Sequence, residues 1–568
     1  MPTTLQSQSQ VAQVSESSTS PAARSDDGTH PSSAPASNGS PSSGLFDFAQ
    51  SIVDGTLDLS SFQDIYFPPV SINDFSMPMQ GIQSGDAAQQ EQVQQEWLLS
   101  APAPTQSPPQ ATHETHESTQ SAPSGAMDGA AAPLPLPDID LSLDLPPILD
   151  PIENGPKCAS VKALFHRMAT ASPMFRAALS AFATIQASTT AARVQYKRYY
   201  DQAALALGER VDSATAGGKQ ADMRHVLATI FFLTYINLLT GQLEMACANL
   251  EKAHRVIQLA GGVVSLGGVE QRIVSWIRLL DARAASAGGQ GLLVNDTSGI
   301  IYPLTPSSGP PEDSNNTNND RGESASEQGS SAHEVIYEML CQPGIVFYQE
   351  VQTITVRITR IAHAHRSRGS VEDETEVMAI AANILKDLAA LYARRPAIMD
   401  AAVGGNPGES DSLVSLLAPS LASAIVRSYQ TYMANFYACY IHLHRVAHRH
   451  LARSQTVLTA MDKIKAMVHA MADGRTDGSS PEGTTSGSGN HIMVNMLWPL
   501  FLWGSEEDDA DECRWILKTI RSLHHLVTNA NMTANVLQEI QTRQQEAGWR
   551  VDIRSVCLEL FNTTFAIV

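Results

Sequence analysis

The chain has 568 residues, of which 58 are acidic and 37 are basic, and its formal net charge is −21. This excess of negative charge argues against long-range attraction to nucleic acid or to an anionic membrane surface. The charge is unevenly distributed, because residues 1–150 carry 18 of the acidic residues and a single basic residue, Arg24. Residues 151–568 are nearly neutral and apolar enough to form a large hydrophobic core.

The cysteines and the apolar runs exclude several classes of protein. The six cysteines lie at least 44 residues apart, and no Cys-x-x-Cys pair occurs. This spacing indicates neither a zinc cluster nor a compact disulfide framework, and it predicts free, buried thiols. The N-terminus shows no basic region followed by an apolar one, and the apolar stretch 226–239 is too short to span a bilayer. We therefore expect a soluble intracellular protein.

Residues 1–155 are predicted to be a disordered acidic tail, because a segment dominated by Ser, Gln, Pro and Ala buries too little apolar surface to offset the entropy of folding. Within this tail, apolar and acidic side chains alternate over 44–79 and 134–153. Such alternation is typical of activation segments, whose carboxylates keep aromatic groups solvated until a partner groove accepts them. The alternatives are that these runs pack on the folded domain or that they have no role. The candidate contact residues are Phe46, Phe48, Phe62, Tyr66 and Phe67.

From residue 156 to the C-terminus the apolar spacing is helical, which predicts an all-α regulatory domain over 156–568. Its centre is a helical hairpin over 225–262 that turns at Gly241, and its first helix is apolar on nearly every side. Two polar insertions, 301–333 and 473–490, are predicted to be disordered. The remaining predicted helices lie in 157–211 with a break at Pro173, and over 269–289, 334–342, 344–366, 371–394, 411–453 with a break at Pro419, 456–473 and 491–562.

One predicted helix carries both histidines and arginines. His444 and His448 are one turn apart and have the spacing of a metal-chelating pair. The neighbouring arginines would repel a cation, so the pattern favours a solvated basic face over a metal site. The candidate surface for an anion or an acidic partner consists of Arg445, Arg449 and Arg453.

The stretch SEEDDADE, residues 505–512, is the strongest enzyme-like signal. Aspartate-rich motifs on helices hold magnesium and diphosphate in isoprenoid enzymes, so Asp508–Glu512 define an alternative, an all-α magnesium-dependent enzyme. That chemistry needs a second metal-binding motif downstream, and only 56 residues follow Glu512. Acidic residues also suit a helix N-terminus, where the helix dipole favours negative charge. We therefore favour a helix start, and assign no catalytic residue, metal ligand or cofactor.

Three stretches, in this order, resemble the regulatory domain of fungal zinc-cluster transcription factors, the fungal-specific transcription factor domain of the second type. They are VLATIFFLTYINLLTGQLEMACANLEKAHRVIQLAGG, RIVSWIRLLDARAASAGG and MLWPLFLWGSEEDDADECRWILKTIRSL, the last followed by NVLQEIQTRQQEAGWRVDIRSV. The LLTG break, the closing Gly-Gly pair, the WPLFLWG box and Arg514-Trp515 carry the resemblance. It covers about 160–562 of the chain.

The resemblance implies a transcriptional regulator in the nucleus, of a kind that often controls a biosynthetic gene cluster for secondary metabolites. The family's usual N-terminal module holds zinc with six closely spaced cysteines and reads DNA with a basic helix. Here residues 1–155 are acidic and contain no cysteine. We therefore expect action through the transcription machinery or a DNA-bound transcription factor. Direct binding to DNA stays open, as does a small-molecule effector of the helical domain.

Overall fold

The computed structural model describes residues 144–186, 190–215, 223–294, 332–365, 368–403, 417–473, 492–561 and 566–567. These residues form sixteen α-helices and a few short 3-10 turns, with no strand among them, which confirms the all-α prediction. Residues 1–143 of the predicted tail and nearly all of both predicted insertions lie outside the described residues.

The helices are numbered in chain order. The first eight are α1 Asp150–Glu153, α2 Lys157–Ala171, α3 Pro173–Gln186, α4 Thr190–Thr215, α5 Met223–Leu239, α6 Leu243–Leu259, α7 Gly268–Ser286 and α8 Ala332–Ala364. The other eight are α9 Val371–Ala393, α10 Ala397–Val403, α11 Pro419–Ala447, α12 Gln455–Asp473, α13 Leu497–Gly504, α14 Ala510–Ser522, α15 Ala530–Ala547 and α16 Ile553–Phe561.

The predicted hairpin is formed by α5 and α6. Every residue of α5 from His225 to Leu239 is buried, as expected of a helix that is apolar on nearly every side. Its Phe232 ring lies edge-on to Phe165 of α2, with ring centroids 5.3 Å apart. Gly241 ends α5 with φ 74°, a left-handed conformation that favours glycine. The glycine-based prediction of this turn is confirmed.

The predicted boundary of the tail at residue 155 is wrong. Ile148, Leu149 and Ile152 are almost fully buried, and they belong to the main hydrophobic core. Asn495 Nδ2 donates to Ile148 O at 3.1 Å, and the Tyr432 hydroxyl donates to a main-chain carbonyl of α1. The last apolar residues of the acidic run therefore pack on the helical domain, because their side chains fill its core.

A buried carboxylate joins the N-terminal helices to α7. Glu153 accepts hydrogen bonds from Arg272 Nε at 2.8 Å, from Arg272 Nη2 at 2.6 Å and from Trp276 Nε1 at 2.7 Å. Lys157 Nζ lies 3.6 Å from the same carboxylate. Burial alone would raise the pKa of Glu153, but the charges of Lys157 and Arg272 and these hydrogen bonds lower it to about 2. Glu153 is therefore ionised in the core.

The predicted break between helices at residue 343 is also wrong, because α8 continues through Pro343. The Tyr429 hydroxyl of α11 donates to Leu340 O at 2.6 Å, next to the position where the proline interrupts the helical hydrogen bonds. Gly344 allows α11 to approach closely, since a Cβ atom there would lie 2.4 Å from the Tyr429 ring. Packing against α11 thus supports a continuous helix that local sequence rules would end.

The C-terminal helices close the core around α13, the WPLFLWG box. All eight residues of α13 are buried, and Gln541 Nε2 of α15 donates to Gly504 O at 2.8 Å. All six cysteines are free thiols; four are buried and two, Cys158 and Cys247, are partly exposed. In the part of the chain that the structure describes, no helix has the length and apolar character needed to cross a membrane.

Candidate functional site

The first predicted site residue, Arg445, does not lie on a solvated face. Its side chain is 4% exposed and contacts Glu506 Oε1 at 2.5 Å, so the prediction of a solvated surface is wrong for this residue. Arg550 binds the same carboxylate, with Nε 2.8 Å from Oε1 and Nη2 2.8 Å from Oε2. We call these three residues the Glu506 cluster. Burial raises the pKa of Glu506, but the hydrogen bonds from Arg550 and the charge of Arg445 give a net lowering.

A second carboxylate is also shared by two arginines. Glu374 Oε2 lies 3.4 Å from Arg368 Nη1, and Glu374 Oε1 lies 3.9 Å from Arg449 Nη2. We call these three residues the Glu374 cluster. Arg368 also donates to Val446 O at 2.5 Å and to Ala447 O at 3.1 Å, the last carbonyls of α11. Its charge therefore compensates the negative end of that helix dipole.

The other two predicted arginines, Arg449 and Arg453, are partly exposed. Arg449 belongs to the Glu374 cluster, whereas Arg453 donates to Glu506 O and pairs with Asp508. The three predicted arginines thus face different partners. The predicted basic surface therefore loses Arg445. A role of Arg449 and Arg453 in binding an anion or an acidic partner remains a prediction.

The acidic stretch before α14 has structural roles. Asp509 is the N-cap of α14, and its carboxylate accepts from the Asp511 N–H at 2.8 Å. Glu512 Oε1 lies 2.8 Å from Lys465 Nζ of α12, and Asp508 pairs with Arg453. This is the helix start favoured by the sequence. Among the described residues, no group of three His, Cys, Asp or Glu side chains is arranged to hold a metal ion.

The two clusters lie beside a cavity of about 400 Å³. It is formed where the C-terminal ends of α8 and α11 meet α13, α15, α16 and the segment 549–552. Apolar atoms come from Trp498, Phe501 and Ile553, among others. Arg554 and Trp549 also line it, and Trp549 is 71% exposed. A concave, mostly apolar space with a few charged groups is the usual form of a small-molecule site.

Three histidines of α11 and its C-terminal end have lowered pKa values, and burial is the largest cause of each shift. Burial lowers the pKa of His442 to about 3, and the charge of Arg445 contributes to this shift. Burial and the charge of Arg550 lower the pKa of His444 to about 4. For His448 the causes are burial and the charges of Arg368 and Arg550. These imidazoles are therefore neutral near pH 7.

A neutral buried histidine makes stability depend on pH. The unfolded chain protonates this residue below about pH 6.5, whereas folded His442 stays neutral to about pH 3, so acid favours unfolding over that window. We expect His442→Gln to reduce the stability lost between pH 7.5 and pH 5 by about 2 kcal/mol, measured by urea unfolding at both pH values. The control is the exposed His524→Gln. Equal losses in wild type and His442→Gln would contradict a neutral His442.

Sequence reasoning missed most residues of the cavity. Arg550 and Arg554 follow Gly548, whose φ of 74° ends α15 and turns the chain back toward α11. The Gly-Trp-Arg tripeptide at 548–550 indicates a turn in the sequence, but it does not indicate which helices the turn packs against. Phe46, Phe48, Phe62, Tyr66 and Phe67 lie outside the described residues.

The comparison with protein families identifies the helical domain. The model of the fungal specific transcription factor domain matches residues 144–560. The chain belongs to this family. The fungal specific transcription factor domain begins where the described helices begin, and it contains both arginine clusters and most of the cavity. Comparisons with curated proteins and with solved structures each returned no match.

Membership of the fungal specific transcription factor domain family makes the chain a transcriptional regulator. The matched region excludes residues 1–143, the acidic segment that carries the candidate aromatic contacts. Within the printed sequence the six cysteines are dispersed through the helical domain, so they do not form the closely spaced zinc cluster typical of DNA-reading members. Family membership thus accounts for the helical domain, but it does not assign a role to the acidic segment.

Proposed function

We propose that the protein regulates transcription in the nucleus through partner proteins, with the helical domain as a docking body and the acidic segment as the recruiting element. The match of the transcription factor domain over residues 144–560 carries this proposal. The charge of the chain supports action through partners, because 18 acidic residues against one basic residue in 1–150 would repel DNA phosphates. The genes concerned are proposed to form a biosynthetic cluster for secondary metabolites.

The recruiting element is argued from its composition. Aromatic side chains at 46, 48, 62, 66 and 67 alternate with aspartates and have no basic neighbour between residues 44 and 79. Carboxylates keep such side chains in solution, and a basic-rimmed apolar groove on a partner would accept them as the carboxylates pair with its rim. The transcription machinery or a DNA-bound transcription factor would supply that groove.

A fusion experiment tests the recruiting element. Residues 1–150 joined to a foreign DNA-binding domain should activate a reporter gene, and alanine at the five aromatic positions should remove at least about 90% of that activity, since the aromatic groups are the anchors of such contacts. The matched control replaces five serines of the same region with alanine, at Ser51, Ser60, Ser61, Ser71 and Ser76. No activation by the unmodified fusion, or full activity of the aromatic variant, would refute this role.

A further inference from the structure

We propose that the cavity between α8, α11, α13, α15 and α16 binds a small organic anion that joins a carboxylate to an apolar body of aromatic size. This inference goes beyond the proposed function, because binding at this site does not depend on the acidic segment or on a particular partner. It rests on the size and walls of the cavity, on its charge, and on Arg554, which lines the cavity without a carboxylate partner among the described residues.

The cavity has the dimensions of a ligand site. Its volume of about 400 Å³ lies within the range of roughly 300–1,000 Å³ that is usual for small-molecule pockets. Trp498, Phe501, Val536 and Ile553 supply apolar wall, which favours an apolar ligand body. The largely exposed ring of Trp549 also lines the cavity and offers a face for stacking.

The charge of the cavity favours an anion. Five arginines line it against one carboxylate, Asp552. Four of the five contact two carboxylates, those of the Glu506 and Glu374 clusters. Together with Arg554 and Asp552 these groups leave a formal excess of two positive charges. Low-dielectric walls focus such an excess and attract ligands of opposite charge.

Arg554 is the cation that this arrangement leaves for a ligand. Within the described stretches of the chain, no carboxylate lies within ion-pair distance of its guanidinium, and its Nη1 contacts His363 Nδ1. Its Nε is buried and has no hydrogen-bond acceptor. A ligand carboxylate in the cavity would pair with the other N–H groups of this planar guanidinium, which lines the cavity wall.

Two further wall residues have unused hydrogen-bonding capacity. The Thr359 hydroxyl lies 3.0 Å from Thr355 O and 3.1 Å from His442 Nε2. The other ring nitrogen, His442 Nδ1, is buried and has no hydrogen-bond partner. Trp498 Nε1, a donor, has no acceptor. His442 is 6% exposed and Trp498 is 8% exposed, so water satisfies neither from bulk solvent. The packing of the chain therefore leaves two polar atoms beside the cavity without a partner.

Calorimetric titration of the purified full-length protein tests the proposal with two matched probes, 2-naphthoate and naphthalene-2-carboxamide. The probes have nearly the same shape and differ in charge. We expect one naphthoate per chain and binding at least about 10-fold weaker for the carboxamide, because a hydrogen-bonded ion pair in a desolvated site is worth about that factor or more. No binding of naphthoate, or equal binding of both probes, would overturn the proposal.

Variants place the binding at the cavity. Arg554→Met should weaken naphthoate binding by about 10-fold or more and leave the carboxamide unchanged, whereas Trp549→Ala should weaken both probes. The control, Arg543→Met, removes an arginine of α15 that pairs with Glu539 and Glu559 outside the cavity, and it should change neither. Undiminished naphthoate binding by Arg554→Met would refute the site, provided that thermal melting shows the variant to be folded.

The acidic segment of the chain is the other conceivable anion for this cavity. A synthetic peptide of residues 44–63 added in excess should not displace naphthoate, since the cavity volume suits a compact ligand and not an extended peptide. Displacement by the peptide would assign the cavity to the acidic segment and contradict a small-molecule site. The titration measures binding directly, so its failure leaves the reporter test of the proposed function unaffected.

Discussion

Glu506→Gln is expected to lower the free energy of unfolding by about 3–5 kcal/mol, because removing one partner of a buried ion pair leaves the other charge uncompensated. Glu506 is the carboxylate shared by Arg445 and Arg550, and the side chains of Arg445 and Glu506 are each 4% exposed. Two guanidinium groups would then face each other in a region from which water is largely excluded. Urea unfolding at pH 7.5, followed by circular dichroism, measures the loss.

The control for this substitution is Glu374→Gln, which removes the equivalent shared carboxylate from a more exposed place. The Glu374 side chain is 45% exposed, and we expect its loss to cost less than about 1 kcal/mol. Equal losses in the free energy of unfolding for the two variants would contradict a dominant effect of burial at the Glu506 cluster. Glu506→Gln should also disturb the cavity, since Arg445 and Arg550 line it.

Glu153→Gln is expected to cost a similar amount, about 3–5 kcal/mol at pH 7, because Arg272 and the buried Lys157 lose their counter-charge. The Trp276 N–H keeps an acceptor in the variant, so the loss reports mainly the charge. Glu338→Gln is the matched control, since Glu338 lies 3.6 Å from the same lysine but its side chain is 29% exposed. A loss below about 1 kcal/mol for Glu153→Gln would contradict the role of this carboxylate.

The dependence on pH separates charge from packing in that experiment. The pKa of Glu153 falls from 4.5 to about 2 on folding, so its ionised form contributes stability above pH 4.5 that is lost as the pH falls toward 2. Wild type should therefore lose stability over this window, and Glu153→Gln should lose less of it. Parallel losses in the two proteins would show that Glu153 does not titrate there.

The helices themselves were largely predictable from the sequence, because apolar spacing and end signals act within one turn. The capping box of Ser370 and Asp373 starts α9 where the pattern predicts a helix, and Gly241 ends α5 at the expected position. The predicted helix break at Pro343 is wrong because the contact that supports α8 there comes from Tyr429 of α11, 86 residues farther along the chain. Local rules contain no information on such a contact.

The candidate site was much less predictable. The sequence around Arg445 is basic, and this pattern predicts an exposed helix face. The residue that buries Arg445 in an ion pair is Glu506, 61 residues farther along the chain, and local patterns do not indicate that contact. The cavity is assembled from several helices and the segments between them, so its charge and volume depend on tertiary packing. The tail boundary failed for a related reason, because Ile148 and Leu149 are apolar enough to pack although their neighbours are acidic.

Chromatin immunoprecipitation of the tagged full-length protein from its native cells tests most directly whether the chain regulates transcription through partners. The account predicts enrichment of promoter fragments from nuclei, while the purified protein fails to shift the same fragments in a gel at physiological salt. A chain found outside the nucleus with no promoter enriched would contradict the nuclear role, and tight binding of purified protein to those fragments would contradict action through partners.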